Sequence, residues 1–378
     1  MRKISSQILP FILLILPVLA WSAAPAIENI NTVGTTTIYE GITQEQINPT
    51  TTFTYLPLIR NDLPKFIGYI DKIYWSKENV EEYMPKADNL SGLQNTAVGW
   101  FIDIQDPAFY EDWETEPALN RNNFYRQLER LWEKGYISFV KIGSSDTIDK
   151  IIDGTYDARI AQMAKIYKTW VDKGEGRKAM LAPLQEMNGD WVAYYPENMS
   201  LKDKQNLYKE AYQKIQVIFE QNGVDRNQVW WVFAANGLSS PDRPENNFEY
   251  YYPGNEKVDI VGFASYNYGY CEATYKVGEY DYGRWENYET LYEPYLRRME
   301  AMAPGKPILI TETGTSAIST EDERPDRFNY EMKAQWFTEN YDYLSKQQSV
   351  LGVFYFDINE FDGTSCDLRI PRENFTAY

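Results

Sequence analysis

The chain has 378 residues, a formal net charge of −18 and no histidine. A charge this negative excludes a nucleic-acid-binding protein that works through a basic surface, because too few cations are available to neutralise phosphates. The absence of histidine excludes Ser-His-Asp and Cys-His catalysis and imidazole zinc sites, so acid/base chemistry falls to Glu, Asp, Lys or Tyr.

The first 56 residues have the pattern of an export signal followed by a linker. Arg2 and Lys3 precede an apolar stretch over residues 8–20, and small residues follow at 22–24. We expect residues 1–24 to be a signal peptide and the protein to be secreted or periplasmic, with an uncleaved anchor as the alternative. Residues 25–56 are rich in Thr, Asn and Gln, which predicts an extended segment that tethers or straps the following domain.

The remaining residues, 57–378, alternate short apolar runs with amphipathic stretches. The strand-like runs are residues 66–70, 97–102, 137–142, 179–184, 229–234, 260–264, 308–311 and 350–356. The helical candidates are residues 120–134, 156–173, 201–222, 288–303 and 327–346. This alternation predicts an α/β protein with a single catalytic domain, a (β/α)8 TIM barrel. No run after the signal is apolar enough for an integral membrane span.

Two glutamates occupy the same kind of position at the ends of strand-like runs. Glu186 follows the fourth run and Glu312 follows the seventh, and each is followed by polar, Gly-containing sequence. Catalytic groups of a (β/α)8 barrel project from the carboxyl ends of its strands. Paired carboxylates are the groups that glycoside hydrolysis requires, one as acid/base and the other as nucleophile or base. The alternative is that each glutamate only ends its strand in an ion pair.

Five segments in sequence order resemble glycoside hydrolase family 26, a family of retaining barrels best known for β-mannanases. The segments are LAPLQEMNGDW (181–191), IIDGTYDARI (151–160), VWWVFAANG (229–237), YYYPGNEKVDIVGFASYN (250–267) and ITETGT (310–315). The resemblance implies that Glu186 is the acid/base and Glu312 the nucleophile. It further implies that Tyr266 donates to the nucleophile and orients it.

Three positions depart from the family pattern around these residues. The family's His before the acid/base is Gln185, its Arg four residues before the acid/base is Ala182, and the Asp two residues before the tyrosine is Ala264. We expect Gln185 to support catalysis by donating an amide hydrogen bond to Glu312, since an amide can donate but carries no charge.

Aromatic and amide side chains near the strand ends are candidate sugar contacts. Trp191 and Trp285 offer faces for the apolar surface of pyranose rings, with ordinary packing as the alternative. Asn188 is predicted either to bond a sugar hydroxyl or to fix the turn after the fourth strand. Cys271 and Cys366 fall on loops at one barrel end and are a candidate disulfide, which sequence alone leaves open.

The leading hypothesis is a secreted, monomeric, retaining endo-β-glycosidase that needs no metal or cofactor and acts on a polysaccharide. The resemblance makes mannan the default substrate, with a β-glucan, a xylan or an exopolysaccharide as alternatives. The departures at Ala182, Gln185 and Ala264 motivate a rival hypothesis, a carbohydrate-binding protein on the same barrel that has lost turnover.

Overall fold

The computed structural model describes residues 66–70, 96–109, 114–196, 198–270, 285–317, 330–357 and 368. The predicted signal peptide, the segment 25–56 and the Cys271–Cys366 pair lie outside the described residues. The domain boundaries at 24 and 56 therefore remain predictions.

Eight parallel strands close into a barrel in chain order, which confirms the predicted fold. Closure comes from the pairing of the first strand with the last, in which Gly68 lies opposite Phe354. A Cβ on Gly68 would lie 2.4 Å from the Phe354 ring, so only glycine leaves room for that ring inside the barrel. The strands are β1 (Phe66–Ile70), β2 (Ala97–Asp103), β3 (Ile137–Gly143), β4 (Ala179–Pro183), β5 (Val229–Asn236), β6 (Ile260–Asn267), β7 (Ile308–Thr315) and β8 (Val350–Phe356).

Helices lie between several of the strands, and the five predicted ones begin and end within three residues of their predicted bounds. The longest begins after Ser200, whose side chain accepts a hydrogen bond from the Asp203 backbone N–H at 3.2 Å. Two short helices, α1 (Glu116–Leu119) and α3 (Asp149–Ile152), were not predicted. The helices are α1 (Glu116–Leu119), α2 (Asn123–Glu133), α3 (Asp149–Ile152), α4 (Asp157–Val171), α5 (Leu201–Gln221), α6 (Tyr288–Met302) and α7 (Tyr330–Lys346).

The strands separate two apolar cores, one inside the barrel and one between the sheet and the helices. Trp230 lies in the inner core and Trp231 in the helix-facing core, as alternation along a strand requires. On β3, Ile137 and Phe139 face the interior, and the next residue with the same orientation is Lys141. A lysine therefore stands among the inward-facing residues near the carboxyl end of the barrel.

In the part of the chain that the structure describes, no helix is long and apolar enough to cross a bilayer. The same part of the chain contains no cluster of three or more Cys, Asp or Glu side chains arranged to hold a metal ion.

Candidate active site

A β-bulge on β7 directs Glu312 into the barrel. Phe263 of β6 pairs with Ile310, but the next residue, Ala264, pairs with Glu312, so Thr311 is an extra residue. Ile310 belongs to the helix-facing core, and strict alternation would place Glu312 on that same outer side. The inserted residue returns Glu312 to the inner face, where its side chain is almost fully buried.

Two side chains from other strands hold the carboxylate of Glu312. The phenol of Tyr266, on β6, donates to Oε2, and the ammonium of Lys141, on β3, donates to Oε1. Burial raises the pKa of Tyr266 well above its usual value, and the negative charges of Glu312 and Glu186 raise it further. Tyr266 therefore remains a protonated donor at neutral pH, and each oxygen of Glu312 has a donor.

Lys141 is a component of the site that the sequence analysis missed. Its side chain is fully buried, forms an ion pair with Glu312, and lies 5.0 Å from the Phe101 ring centroid and 5.3 Å from that of Phe139. Burial lowers the pKa of Lys141, while the charges of Glu312 and then Glu186 act in the opposite direction. A sequence signal for Lys141 was available, because it lies inside the strand-like run ISFVKIG. A lysine is rarely buried in such a strand unless it is paired with an opposite charge.

Glu186 is placed by two residues in left-handed backbone conformation just after β4. Leu184 has φ 51° and Glu186 has φ 55°, a region that costs non-glycine residues energy and often marks functional sites. The N–H of Leu184 donates to Ile142 on β3 at 2.7 Å, and that of Glu186 donates to Ala234 on β5 at 2.8 Å. The turn is therefore anchored to both neighbouring strands, and the position of Glu186 is fixed by backbone bonds.

Trp191 contacts the acid/base candidate directly. Its indole N–H donates to Oε2 of Glu186 at 2.9 Å, and its side chain is one of two exposed large hydrophobic ones in the described part of the chain. The ring lies over Gly189, where a Cβ would come within 2.5 Å of it. A partly exposed aromatic face beside a carboxylate is consistent with the predicted contact with a sugar ring.

Gln185 does not have the predicted contact with Glu312. In the described part of the chain, the hydrogen bonds to the Glu312 carboxylate come from Lys141 and Tyr266, and none comes from Gln185. The predicted hydrogen bond is therefore absent, and Lys141 and Tyr266 are the donors observed instead. A supporting role of Gln185 in catalysis stays a prediction. The observed bond of Gln185 is made by its backbone carbonyl, which accepts from the Tyr194 hydroxyl at 2.9 Å.

The structure gives Asn188 a role in the turn. Its buried amide donates to the Asn236 carbonyl at 2.7 Å and accepts from the Asn236 N–H at 2.9 Å. These bonds tie the turn after β4 to the end of β5, and they favour the second of its two predicted roles over a contact with sugar. Trp285 is half-buried and packs against the helix-facing core, which favours packing over its predicted substrate contact.

The site therefore brings together two carboxylates, one ammonium and one phenol at the carboxyl end of the barrel. The charges of both Glu186 and Glu312 act on Lys141 and on Tyr266, so the four groups share one electrostatic environment. Both oxygens of Glu312 accept a hydrogen bond from a buried donor, whereas Glu186 lies beside a partly exposed indole. One carboxylate is buried and held from two sides and the other is only partly buried, which suits acid/base-assisted nucleophilic displacement.

Comparison with known proteins finds similarity to glycoside hydrolases. A model of Glycosyl hydrolase family 26 matches residues 130–282, a range that contains Glu186 and Tyr266 and ends before Glu312. Endoglucanase H of Acetivibrio thermocellus is 29% identical over 222 residues, which cover 57% of this chain and 21% of that protein. Mannan endo-1,4-beta-mannosidase of Bacillus subtilis strain 168 is 31% identical over 183 residues, which cover 48% of this chain and 41% of that protein. The chain thus spans less than half the length of these relatives.

Solved structures with the same fold extend the likeness over most of the chain. A modular endo-beta-1,4-mannanase from Cellulomonas fimi superposes with a TM-score of 0.57 at 15% identity, covering 87% of this chain and 72% of that one. The catalytic domain of a Bacillus sp. JAMB-750 GH26 endo-beta-1,4-mannanase gives a TM-score of 0.54 at 17% identity, covering 84% of this chain and 81% of that one. These likenesses support the (β/α)8 barrel.

Proposed function

Because this chain is a divergent member of glycosyl hydrolase family 26, we propose that it is an endo-β-glycosidase that cleaves a polysaccharide by double displacement. The observation that carries the proposal is the pair of strand-end glutamates, of which Glu312 is clamped between Lys141 and Tyr266. A carboxylate held in this way is oriented for attack on an anomeric carbon and cannot easily turn away.

In the first step, an oxygen of Glu312 forms a bond to the anomeric carbon as the bond to the leaving oxygen breaks. Glu186 donates its proton to that oxygen and becomes a carboxylate. Trp191 contributes here, because its N–H bond to Oε2 holds the Glu186 side chain at one orientation. Acid/base assistance of this kind is worth about 10²–10⁴-fold.

In the second step, Glu186 takes a proton from a water molecule, whose oxygen attacks the anomeric carbon and releases Glu312. The product then keeps the anomeric configuration of the substrate. Tyr266 remains a donor throughout, because its raised pKa keeps the phenol protonated.

Mannan is the proposed substrate, and a β-glucan is the second candidate. Two curated relatives are described as mannan endo-1,4-beta-mannosidases from Bacillus, and a third as an endoglucanase. The partly exposed Trp191 face fits the apolar side of either sugar ring, so it does not separate the two. We also propose that the protein is secreted, on the basis of the signal-like residues 1–24. The monomeric state remains a prediction.

The test is hydrolysis of mannan, β-glucan and xylan by the purified protein, with proton NMR of the first product's anomeric configuration. We expect Glu186→Gln and Glu312→Gln to abolish release of reducing ends. The matched control is Glu220→Gln, which changes an exposed glutamate at the end of α5 and should leave turnover intact. Hydrolysis that survives both site substitutions would refute the assignment, and an inverted first product would refute double displacement. Binding of these glycans without turnover would instead favour the rival binding protein.

A further inference from the structure

Lys141 lies beside the position where the family resemblance places an arginine. In the pairing of β3 with β4, Lys141 is directly opposite Ala182, and both residues are fully buried. Ala182 belongs to the inner core of the barrel, so the two side chains share the interior face. The chain therefore lacks a cation on β4 and has one at the same level on the neighbouring strand.

The opposite wall of the site has changed in a matching way. Ala264 is the register partner of Glu312 on β6, at the position where the family pattern has an aspartate. A small neutral residue there leaves Glu312 without an adjacent carboxylate from β6. The ammonium of Lys141 then faces two carboxylates, those of Glu312 and Glu186.

We propose that Lys141 is a positioning residue that replaces the missing β4 cation and keeps the buried site electrically balanced through both steps of the reaction. The proposal rests on the function proposed above. Lys141 carries one positive charge, and one carboxylate of the pair is negative at each stage. A buried ammonium is tolerated only with such a partner, because desolvation opposes an isolated charge.

The charge balance follows from the bonds that form and break. Before attack, Glu312 is ionised and Glu186 is protonated, so Lys141 and Glu312 cancel. When Glu312 becomes a neutral ester, the proton of Glu186 has moved to the leaving oxygen, and Glu186 is the anion that balances Lys141. Hydrolysis of the ester then transfers a proton from the attacking water to Glu186 and returns the negative charge to Glu312. Lys141 thereby favours the ionised form of Glu186 at the stage when it acts as a base.

The kinetic test compares Lys141→Met, which keeps length and removes charge, with Lys141→Arg and with the double variant Lys141→Met/Ala182→Arg. We expect Lys141→Met to lower kcat about 100-fold with a smaller change in KM, since a misplaced nucleophile costs about that much. Lys141→Arg and the double variant should each recover at least about tenfold, because they restore a cation at the same level. Lys178→Met is the matched control, since Lys178 precedes β4 at the other end of the barrel and lies over Trp230.

Thermal unfolding of the variants tests the ion pair between Lys141 and Glu312 without relying on activity. Lys141→Met should lower Tm in the parent, where Glu312 is left buried without its cation, but should not lower it in the Glu312→Gln background. Equal Tm losses in both backgrounds, or a kcat that neither cation restores, would show that Lys141 only fills space and would overturn the proposal. If the parent protein shows no turnover, the proposed function is refuted but the ion pair is not. The Tm comparison would then decide the role of the ion pair.

Discussion

Gly262 lies on β6, opposite β7 and just before the bulge that directs Glu312. It pairs with Leu309, and a Cβ built on it would lie 2.4 Å from the Leu309 carbonyl oxygen and 2.7 Å from Cγ2 of Thr311. Close carbon–oxygen contacts in proteins are about 3.3 Å or longer. Gly262→Ala therefore requires the two strands to separate locally by about 1 Å, and the nearest obstacle is backbone, which cannot rotate away.

The expected loss in the free energy of unfolding follows from this displacement of the strands. Overpacking of a core typically costs about 1–3 kcal/mol, and a backbone obstacle places this case at about 2–3 kcal/mol. For a domain of this size, that loss corresponds to a fall in Tm of roughly 3–6 °C. Because Thr311 is the residue next to Glu312, the nucleophile should move as well. A shift of about 1 Å at a catalytic group can lower turnover about 100-fold.

The assay is differential scanning calorimetry together with kcat and KM on the substrate found in the panel. Gly143→Ala is the matched control for stability, because a Cβ there would lie 3.6 Å from the Ile102 carbonyl oxygen, an ordinary contact. Its Tm should stay within about 1 °C of the parent, as expected for a change of under about 0.5 kcal/mol. A Gly262→Ala protein with parental Tm and kcat would refute the argument that glycine is required by the approach of β7.

Two further predictions concern pH. Trp191→Phe keeps an aromatic face but removes the N–H bond to the Glu186 carboxylate, so the protonated acid should persist to higher pH. The alkaline limb of the kcat/KM profile should therefore move to higher pH, because a hydrogen bond to the ionised form is lost, and an unmoved limb would contradict the contact. Burial lowers the pKa of Lys178 from 10.5 to about 8, so between these values the unfolded chain binds more protons and raising the pH favours the folded state. Urea unfolding from pH 7.5 to 9.5 should show a free energy of unfolding that rises more steeply in the parent than in Lys178→Met, and equal slopes would exclude the lowered pKa.

The sequence by itself determined the barrel and the two carboxylates. Buried parallel strands are continuous apolar runs separated by amphipathic helices, so their period and length identify them locally. Polar residues that follow such runs fall at the carboxyl ends of the strands, which placed Glu186 and Glu312 at one end of the barrel. The opposite orientations of Trp230 and Trp231 followed from strand alternation alone.

Only the tertiary structure decided how the site around those carboxylates is built. The ion pair between Lys141 and Glu312 joins residues 171 positions apart, and it depends on which strands face each other after closure. The orientation of Glu312 depends on a bulge that appears only in the pairing of β6 with β7. Sequence spacing fixed the order of the strands, but register and bulges arise from contacts between strands, and these gave the nucleophile its lysine in place of the expected glutamine.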